Sequence, residues 1–255
     1  MNSIILAGGP GIRLNPLTNT TPKCMIELFG KSLLERQISV LKKNGVTDIT
    51  VVTGYLNHII NYPGINYIKN EKYKTTNINE GLFCAKEKFG DSIVCYSDIV
   101  YEEVVFKKIS QFNGDIGIAV RLDWKESYEG RTNHPLSEAE NVLIENNRIT
   151  KIMKNITEVK SDQQLGEFLG MMKLSKKGSE ILIKKYSELE EFHHKKFHNA
   201  PSLDMAYLTD MLQELIDSGI EIKPIFIDGI WCEIDTVQDL EIVKKRLSNV
   251  KSFTT

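Results

Sequence analysis

The sequence lacks the features that would place it in a membrane or outside the cell. It has no run of about 18 apolar residues, so no membrane-spanning helix is expected. The apolar start, residues 1–9, is too short for a signal peptide and has no basic segment before it. Its four cysteines (Cys24, Cys84, Cys95 and Cys232) form no C-x-x-C pair, which argues against a disulfide framework or a zinc site. A cytoplasmic protein without a membrane partner is therefore predicted.

An excess of positive charge is also missing. The 32 basic and 34 acidic residues give a net charge of −2, so there is no broad basic field to hold a nucleic acid. A small anionic ligand remains open, because a few basic side chains can be concentrated in one cleft. With 255 residues and 41% hydrophobic residues, the chain is long and apolar enough for a sizeable core.

Short apolar runs alternate with helical patterns along the chain. This alternation predicts an α/β fold, a Rossmann-like three-layer sandwich around a mixed, mostly parallel sheet. Asn146 and Asn147, between two β-branched runs, predict a small β-hairpin subdomain because Asn tolerates positive φ. The predicted strands are 4–6, 49–53, 92–96, 115–120, 142–145, 148–153, 166–174 and 222–226. The predicted helices are one opening at the capping box of residues 32–35, then 79–89, 102–111, 176–186, 204–217 and 237–247.

In such sheets ligands bind at the carboxyl ends of the strands. The candidate segments there are residues 7–13, residues 53–55 and Asp98. The first contains three glycines within four positions, which let backbone N–H groups approach an anion. Arg13 adds a fork of donors that suits phosphate oxygens, and Lys23 adds a mobile point charge. Together they suit a triphosphate.

The glycine segment by itself also permits different roles. A dinucleotide-binding loop needs a third glycine where Leu14 stands, which disfavours a dehydrogenase. A P-loop needs Gly-Lys followed by Ser or Thr, and that is absent. A purely structural turn after the first strand is the simplest alternative.

The run from Leu6 to Met25, LAGGPGIRLNPLTNTTPKCM, resembles the signature of the sugar-nucleotidyltransferase-like family. Gly9 departs from it, since many members carry Ala there. Five further segments resemble the phosphocholine and phosphonate cytidylyltransferase branch: residues 74–80, 121–124, 128–131, 138–140 and 166–171. The pair Glu80-Gly81 departs from the branch, where a Ser-Leu type sequence is expected. The resemblance implies a GT-A-like single domain over residues 1–255, with nucleotide binding in about 1–120 and acceptor binding in about 121–235.

Three acidic residues are candidate metal ligands. Asp98 ends an apolar strand, and Glu233 and Asp235 would share one face of an extended segment. Each acid has an ordinary alternative role, and Asp235 could cap the helix that starts at Val237. The resemblance implies that Asp98 and Asp235 hold Mg²⁺ at the triphosphate, with Glu233 as a third candidate.

The resemblance also implies the roles of the nucleotide-site residues. Arg13 and Lys23 would be catalytic. The expected nucleotide-binding residues are Leu6, Ala7, Gly8, Gly9, Gly11, Arg13, Lys23, Gly54, Tyr55, Asn77 and Ser97.

The candidate residues of the acceptor site are chosen by the chemical type of their side chains. A phosphate needs a cation, and Arg121, Arg131 or Lys154 could supply it. Asp123 or Glu167 could meet an ammonium group of the acceptor. Trp124 and Tyr128 could pack over a cationic head. Each of these side chains could instead be a solvated arginine, a surface acid or a core aromatic.

The function implied is Mg²⁺-dependent transfer of CMP from CTP, or of the nucleotide of another NTP, to a small phosphate or phosphonate with release of pyrophosphate. Phosphocholine, 2-aminoethylphosphonate and a phosphoglutamine-like compound fit, with a use in capsule or surface polysaccharide. The alternatives are a sugar 1-phosphate acceptor and a non-catalytic nucleotide-binding regulator. A homodimer is compatible with the family. The histidines 193, 194 and 198 lie in a charged segment typical of a solvated helix end, although they could cover the acceptor pocket or a subunit contact.

Overall fold

The computed structural model describes residues 1–254. The strands are β1 Asn2–Ala7, β2 Glu27–Leu28, β3 Lys31–Ser32, β4 Ile49–Thr53, β5 Asn66–Lys69, β6 Ser92–Tyr96, β7 Ile99–Tyr101, β8 Ile116–Arg121, β9 Glu140–Glu145, β10 Arg148–Lys154, β11 Gln164–Leu174, β12 Lys223–Phe226 and β13 Trp231–Glu233. The helices are α1 Leu33–Lys43, α2 Ile78–Cys84, α3 Glu103–Ser110, α4 Lys176–Phe192, α5 Leu208–Asp217, α6 Val237–Leu247 and α7 Lys251–Thr254.

The central sheet is mixed, as predicted. Its main path runs β10-β9-β11-β6-β1-β4-β5, and β8 pairs with both β11 and β12. The neighbours β6, β1, β4 and β5 are parallel, and so are β8 and β12. Strand β11 is antiparallel to β6, β8 and β9. It can pair with all three because it is 11 residues long and shifts register between Phe168 and Met172.

Both faces of this sheet are covered, which gives the three layers. Alternate side chains of β1 point to opposite faces, so Ile4 packs on one side and Ile5 on the other. The Ile4 side carries α2, α4 and α5, and the Ile5 side carries α1 and α3. Burial on both faces explains why the central parallel strands β1, β4 and β6 are nearly continuous buried runs rather than alternating ones.

The predicted hairpin forms at the predicted position. Asn146 and Asn147 have φ values of 47° and 60° between β9 and β10. Because β9 also pairs with β11, the hairpin continues the main sheet at its edge. Helix α5 packs beside it, where the backbone N–H of Ile152 donates to Gln213 Oε1 at 2.8 Å.

The helix predictions hold for most elements but miss several ends. Ser32 caps α1 as expected, with its Oγ accepting from the N–H of Glu35 at 2.9 Å. Helix α4 runs on to Phe192, and α2 ends at Cys84 instead of 89. Helix α5 starts at Leu208, because residues before it bond to another element: the carbonyl of Asp204 accepts from the N–H of Asn77 at 2.9 Å. None of the helices described for residues 1–254 has the length and apolar character needed to cross a membrane.

The alternative that Asp235 caps α6 is wrong. Thr236 is the cap, since its Oγ accepts from the N–H of Asp239 at 3.1 Å and the Asp239 carboxylate accepts from the N–H of Thr236 at 2.8 Å. This reciprocal capping box satisfies the helix start on its own. The carboxylate of Asp235 is therefore available for other partners.

Candidate active site

A cavity of about 440 Å³ opens where β1 and β6 end. Its walls come from the glycine segment after β1, the residues after β6, the start of α2, and parts of β9, β10, β11 and β13. The predicted site residues that line it are Leu6, Ala7, Gly8, Gly9, Gly11, Arg13, Lys23, Asn77, Ser97, Asp98, Lys154, Glu167, Glu233 and Asp235. The sheet thus brings residues from both halves of the chain to one place.

A short two-stranded ladder brings the three acids together. Strand β13 pairs antiparallel with β7, which places Glu233 opposite Ile99. One residue further, the N–H of Ile234 donates to the carbonyl of Asp98 at 2.9 Å. Asp98, Glu233 and Asp235 therefore share one wall of the cavity, although they are far apart in sequence.

Lys23 and Arg13 meet these acids. The Lys23 ammonium lies 2.7 Å from Asp98 Oδ2 and also bonds Asp235 Oδ1. Arg13 pairs with the other oxygen of Asp235. Burial disfavours the Lys23 charge, but the charges of Asp98, Asp235 and Glu233 outweigh it and raise the pKa of Lys23. The lysine is therefore held as a cation at the base of the cavity.

The acids differ in their protonation. Burial, followed by the charges of Asp235 and Asp98, raises the pKa of Glu233 to about 7. Burial acts in the same direction on Asp235, but Lys23 and Arg13 outweigh it and lower that pKa. Asp98 keeps one buried oxygen, Oδ1, without a hydrogen-bond partner in the described chain. The cluster thus retains acceptor capacity for a further cation.

A neighbouring histidine is neutral. His134 Nδ1 lies 3.4 Å from Asp235 Oδ2 and 3.7 Å from Glu233 Oε2, so these three groups could in principle share a metal. However, Nδ1 lies 2.7 Å from an Arg131 NH2 group that can only donate, so Nδ1 must accept. Burial and the Arg131 charge lower the pKa of His134 to about 4. The nitrogen is already used, which leaves the oxygen set of the three acids as the better metal site.

Two predicted nucleotide-binding residues lie behind the glycine segment and do not line the cavity. The N–H of Tyr55 donates to the carbonyl of Gly8 at 3.0 Å, and the Tyr55 hydroxyl donates to the carbonyls of Thr18 and Asn19. A Cβ on Gly54 would lie 2.5 Å from the Gly8 carbonyl oxygen and 2.7 Å from Tyr73 Cβ. Gly54 and Tyr55 thus support the glycine segment from behind, and that segment lines the cavity.

The sequence resemblance implies a nucleotide in this cavity, so we expect Gly54→Ala to weaken nucleotide binding at least about 10-fold. The added methyl group cannot fit against backbone at 2.5 Å, so the Gly8 carbonyl and the N–H groups beside it must move. Binding of CTP, measured by calorimetry, checks this. Gly90→Ala is the matched control, because no described atom lies within 4 Å of a Cβ there. Equal CTP affinity of the Gly54→Ala protein and the control would contradict the supporting role.

Three residues expected to contact the acceptor do not line the cavity. Arg121 donates to the carbonyl of Gly229 and lies 3.5 Å from Asp123, so its charge is satisfied away from the lining. Arg131 is buried against Asp239 and Glu233. Arg121, Asp123 and Arg131 therefore lie outside the cavity lining. Distant partners that no local pattern reveals hold Arg121 and Arg131, whereas Asp123 is exposed and pairs with Arg121, two residues away.

Lys154 and Glu167 do line the cavity. Lys154 pairs with Glu138 at 2.7 Å and lies over the Tyr207 ring, 5.2 Å from its centre. Glu167 accepts from the hydroxyl of Tyr128, and burial raises its pKa to about 8. Its second oxygen, Oε2, is buried without a partner among residues 1–254.

Sequence reasoning missed several lining side chains. They are Tyr96, His134, Glu138, Glu140 and Tyr207. Glu138 and Glu140 lie in the segment 138–140, which resembles the cytidylyltransferase branch, and this resemblance could have indicated them. Nothing local marks His134 or Tyr207. Of the two aromatics proposed for a cationic head, Tyr128 lines the cavity and Trp124 is buried beside it, with ring centres 5.8 Å apart.

The departure at Glu80-Gly81 has a structural basis. Glu80 faces α4, where its carboxylate accepts from the Tyr186 hydroxyl at 2.6 Å. Gly81 lies in the wall of the cavity.

The histidine cluster lies away from the cavity. His193 bonds the carbonyl of Lys196, and His198 bonds Glu214, each at 3.0 Å. The three histidines do not line the cavity.

Comparison with known proteins gives the class first. The profile of the nucleotidyl transferase family matches residues 2–112, the part that carries the glycine segment, Lys23 and Asp98. Two solved structures share the fold over nearly the whole chain. They are CTP:phosphocholine cytidylyltransferase from Streptococcus pneumoniae (TM-score 0.73, 22% identity, 96% of this chain and 98% of that one) and the inositol-1-phosphate CTP transferase from T. maritima (TM-score 0.73, 23% identity, 98% and 96%).

Sequence relatives then give the branch. CTP:phosphoglutamine cytidylyltransferase of Campylobacter jejuni is 34% identical over 95% of this chain and 98% of its own length. 2-Aminoethylphosphonate cytidylyltransferase of Lancefieldella rimae is 34% identical over 40% of this chain and 44% of its own length. The chain belongs to the nucleotidyltransferase family, in its cytidylyltransferase branch.

Proposed function

We propose that this protein transfers CMP from CTP to a small phosphorylated or phosphonate acceptor and releases pyrophosphate. The observation that carries the proposal is one cavity that combines the glycine segment with Lys23, Arg13 and the three acids. The full-length similarity to a phosphoglutamine cytidylyltransferase makes an amino-acid phosphate the leading acceptor. Phosphocholine and 2-aminoethylphosphonate are the other acceptors that we propose to test, and surface polysaccharide or capsule is the proposed use of the product.

The proposed reaction is an in-line displacement at the α-phosphorus of CTP. An acceptor oxygen forms the new P–O bond, the bond from the α-phosphorus to the bridging oxygen breaks, and that oxygen leaves with the pyrophosphate. A phosphate or phosphonate oxygen is already anionic at neutral pH, so no general base is required. Catalysis then rests on positioning and charge neutralisation. We propose that Arg13 meets the leaving pyrophosphate and that Lys23 meets the α-phosphate or the incoming group.

The residues present fit Mg²⁺. Asp98, Asp235 and Glu233 offer only oxygen donors, and the unpartnered buried oxygen of Asp98 leaves room for a ligand bond. When bound, Mg²⁺ would neutralise triphosphate charge and favour departure of pyrophosphate. We propose Asp98 and Asp235 as its principal ligands, with Glu233 third.

The acceptor head is proposed to carry an ammonium or another hydrogen-bond donor. Glu140 and Glu167 both line the cavity, and burial raises the pKa of each to about 8. A donor cation would supply the missing partner of Glu167 Oε2 and favour its ionised form. Tyr128 and Tyr207 add ring surface around these groups.

We expect Glu167→Gln to raise the acceptor KM about 10-fold with little change in the CTP KM. The amide keeps the shape of the side chain but loses the charge that would face the ammonium, and such a contact is worth about 1.5–3 kcal/mol. Steady-state rates with each substrate varied in turn check this split. Glu180→Gln on the exposed face of α4 is the matched control. An unchanged acceptor KM would remove Glu167 from the acceptor site.

The proposed function is tested by a matrix of four NTPs against phosphocholine, 2-aminoethylphosphonate, phosphoglutamine and a sugar 1-phosphate. Pyrophosphate release is the readout. CTP with a phosphorylated amine or amino acid is expected to give turnover. Turnover only with the sugar 1-phosphate would favour a sugar nucleotidyltransferase, and nucleotide binding without release under any condition would favour a regulator.

A further inference from the structure

Arg131 lies directly behind the proposed metal acids, with only 5% of its side chain exposed. Its Nε donates to Asp239 Oδ1 at 2.7 Å, and an NH2 group donates to Glu233 Oε2 at 3.2 Å. The same NH2 group meets His134 Nδ1 at 2.7 Å. A single guanidinium therefore spans two carboxylates on different segments.

The Asp239 carboxylate also controls the backbone of Asp235. While Asp239 Oδ1 accepts from Arg131, Asp239 Oδ2 accepts from the N–H groups of Asp235 at 3.1 Å and Thr236 at 2.8 Å. Arg131 thus contacts the Glu233 side chain directly and acts on the Asp235 backbone through Asp239. Both proposed ligands of this segment are oriented by one side chain.

The segment that carries Arg131 is itself held in place. The backbone N–H groups of Thr132 and Asn133 donate to Gln238 Oε1 at 2.8 and 3.0 Å, which docks the segment on the first turn of α6. On the other side, the guanidinium lies 4.8 Å from the centre of the Tyr128 ring. The fork is therefore oriented in advance, so little side-chain freedom is lost when it orients the acids.

We propose that Arg131 is a positioning residue that orients Glu233 and Asp235 for the metal, in place of the acceptor contact expected from the sequence. The role needs a planar fork with separate donors for Asp239 and Glu233, and a lysine ammonium cannot span the two in the same way. Removal of residues that orient metal ligands typically costs about 10- to 100-fold in metal affinity. The inference rests on the proposed metal role of Asp235.

Mn²⁺ binding tests this without any need for turnover. The free Mn²⁺ signal is followed by electron paramagnetic resonance in titrations of the full chain without nucleotide. Arg131→Lys is expected to weaken Mn²⁺ binding about 10-fold or more, and to raise the Mg²⁺ concentration for half-maximal turnover in parallel. Arg148→Lys, on an exposed arginine paired with Glu221, is the matched control and should bind as wild type.

A second variant tests the same role in case the Arg131→Lys protein does not fold. Asp239→Asn keeps an oxygen for the α6 cap but weakens the link to Arg131, so a smaller loss of Mn²⁺ affinity is expected. Wild-type Mn²⁺ affinity in folded Arg131→Lys and Asp239→Asn proteins would overturn the positioning role. Absence of Mn²⁺ binding by the wild-type protein would instead contradict the proposed metal site. Asp235→Asn is expected to lose Mn²⁺ binding, which distinguishes failure of the metal site from failure of the positioning role.

Discussion

Lys23→Ala is expected to lower kcat by about 100- to 1,000-fold, the usual effect of removing one preorganised donor from a charged transition state. The Lys23 side chain is only 13% exposed, and its ammonium lies 2.7 Å from Asp98 and also contacts Asp235. Because three carboxylates keep its pKa high, the lysine carries its charge throughout the working pH range. Within residues 1–254, the other lysine that lines the cavity, Lys154, pairs with Glu138 instead. Pre-steady-state measurement of pyrophosphate release gives the rate of the chemical step.

Loss of the fold must be separated from loss of chemistry in this variant. Removing Lys23 leaves Asp98 without its cation, although Arg13 still pairs with Asp235, and an unpaired, largely buried charge is costly. Lys23→Gln fills most of the same volume and should lose activity to a similar degree. Lys108→Ala, exposed on α3, is the control for removal of a lysine and should behave as wild type. A wild-type rate in folded Lys23→Gln protein would refute the catalytic role.

Asp235→Asn should nearly abolish turnover, with a loss of at least about 100-fold, while the protein stays folded. The fold is expected to survive because α6 is capped by Thr236 and Asp239 and does not depend on the Asp235 carboxylate. The amide keeps the size of the side chain but has one oxygen instead of two and no charge. It cannot both receive Lys23 and Arg13 and bind Mg²⁺.

The measurement is the rate as a function of Mg²⁺ concentration, with circular dichroism to verify the fold. We expect the rate to stay low even at saturating Mg²⁺, and Asp98→Asn to behave in the same way. Asp228→Asn, exposed in the loop before β13, is the matched control. Full activity of Asp235→Asn at saturating Mg²⁺ would remove Asp235 from the metal site.

The features that sequence predicts best here are local ones. The glycine segment could be placed at the end of β1 because an apolar strand and the glycines that follow it are adjacent in sequence. Asp98 could be placed at the end of β6 for the same reason. The hairpin at residues 146 and 147 depends only on the tolerance of Asn for positive φ, and both residues adopt it.

Several predicted site residues that lie outside the cavity have partners that are distant in sequence. Arg121 and Arg131 have the charge that an acceptor phosphate needs, but Gly229, Asp239 and Glu233 hold them. These partners lie more than 100 residues further along the chain, and only the pairing of β13 with β7 and the docking of α6 bring them close. Gly54 follows the correct strand, yet it faces the back of the glycine loop, which no periodicity reveals.

The most direct test of nucleotidyl transfer is ³¹P nuclear magnetic resonance of the wild-type protein with CTP, Mg²⁺ and a phosphorylated amino acid or amine. The proposed function predicts two coupled resonances from a new product in which a P–O–P linkage joins CMP to the acceptor. It also predicts free pyrophosphate in an amount equal to this product. CTP that stays intact with every acceptor, or that is hydrolysed without incorporation of the acceptor, would contradict it.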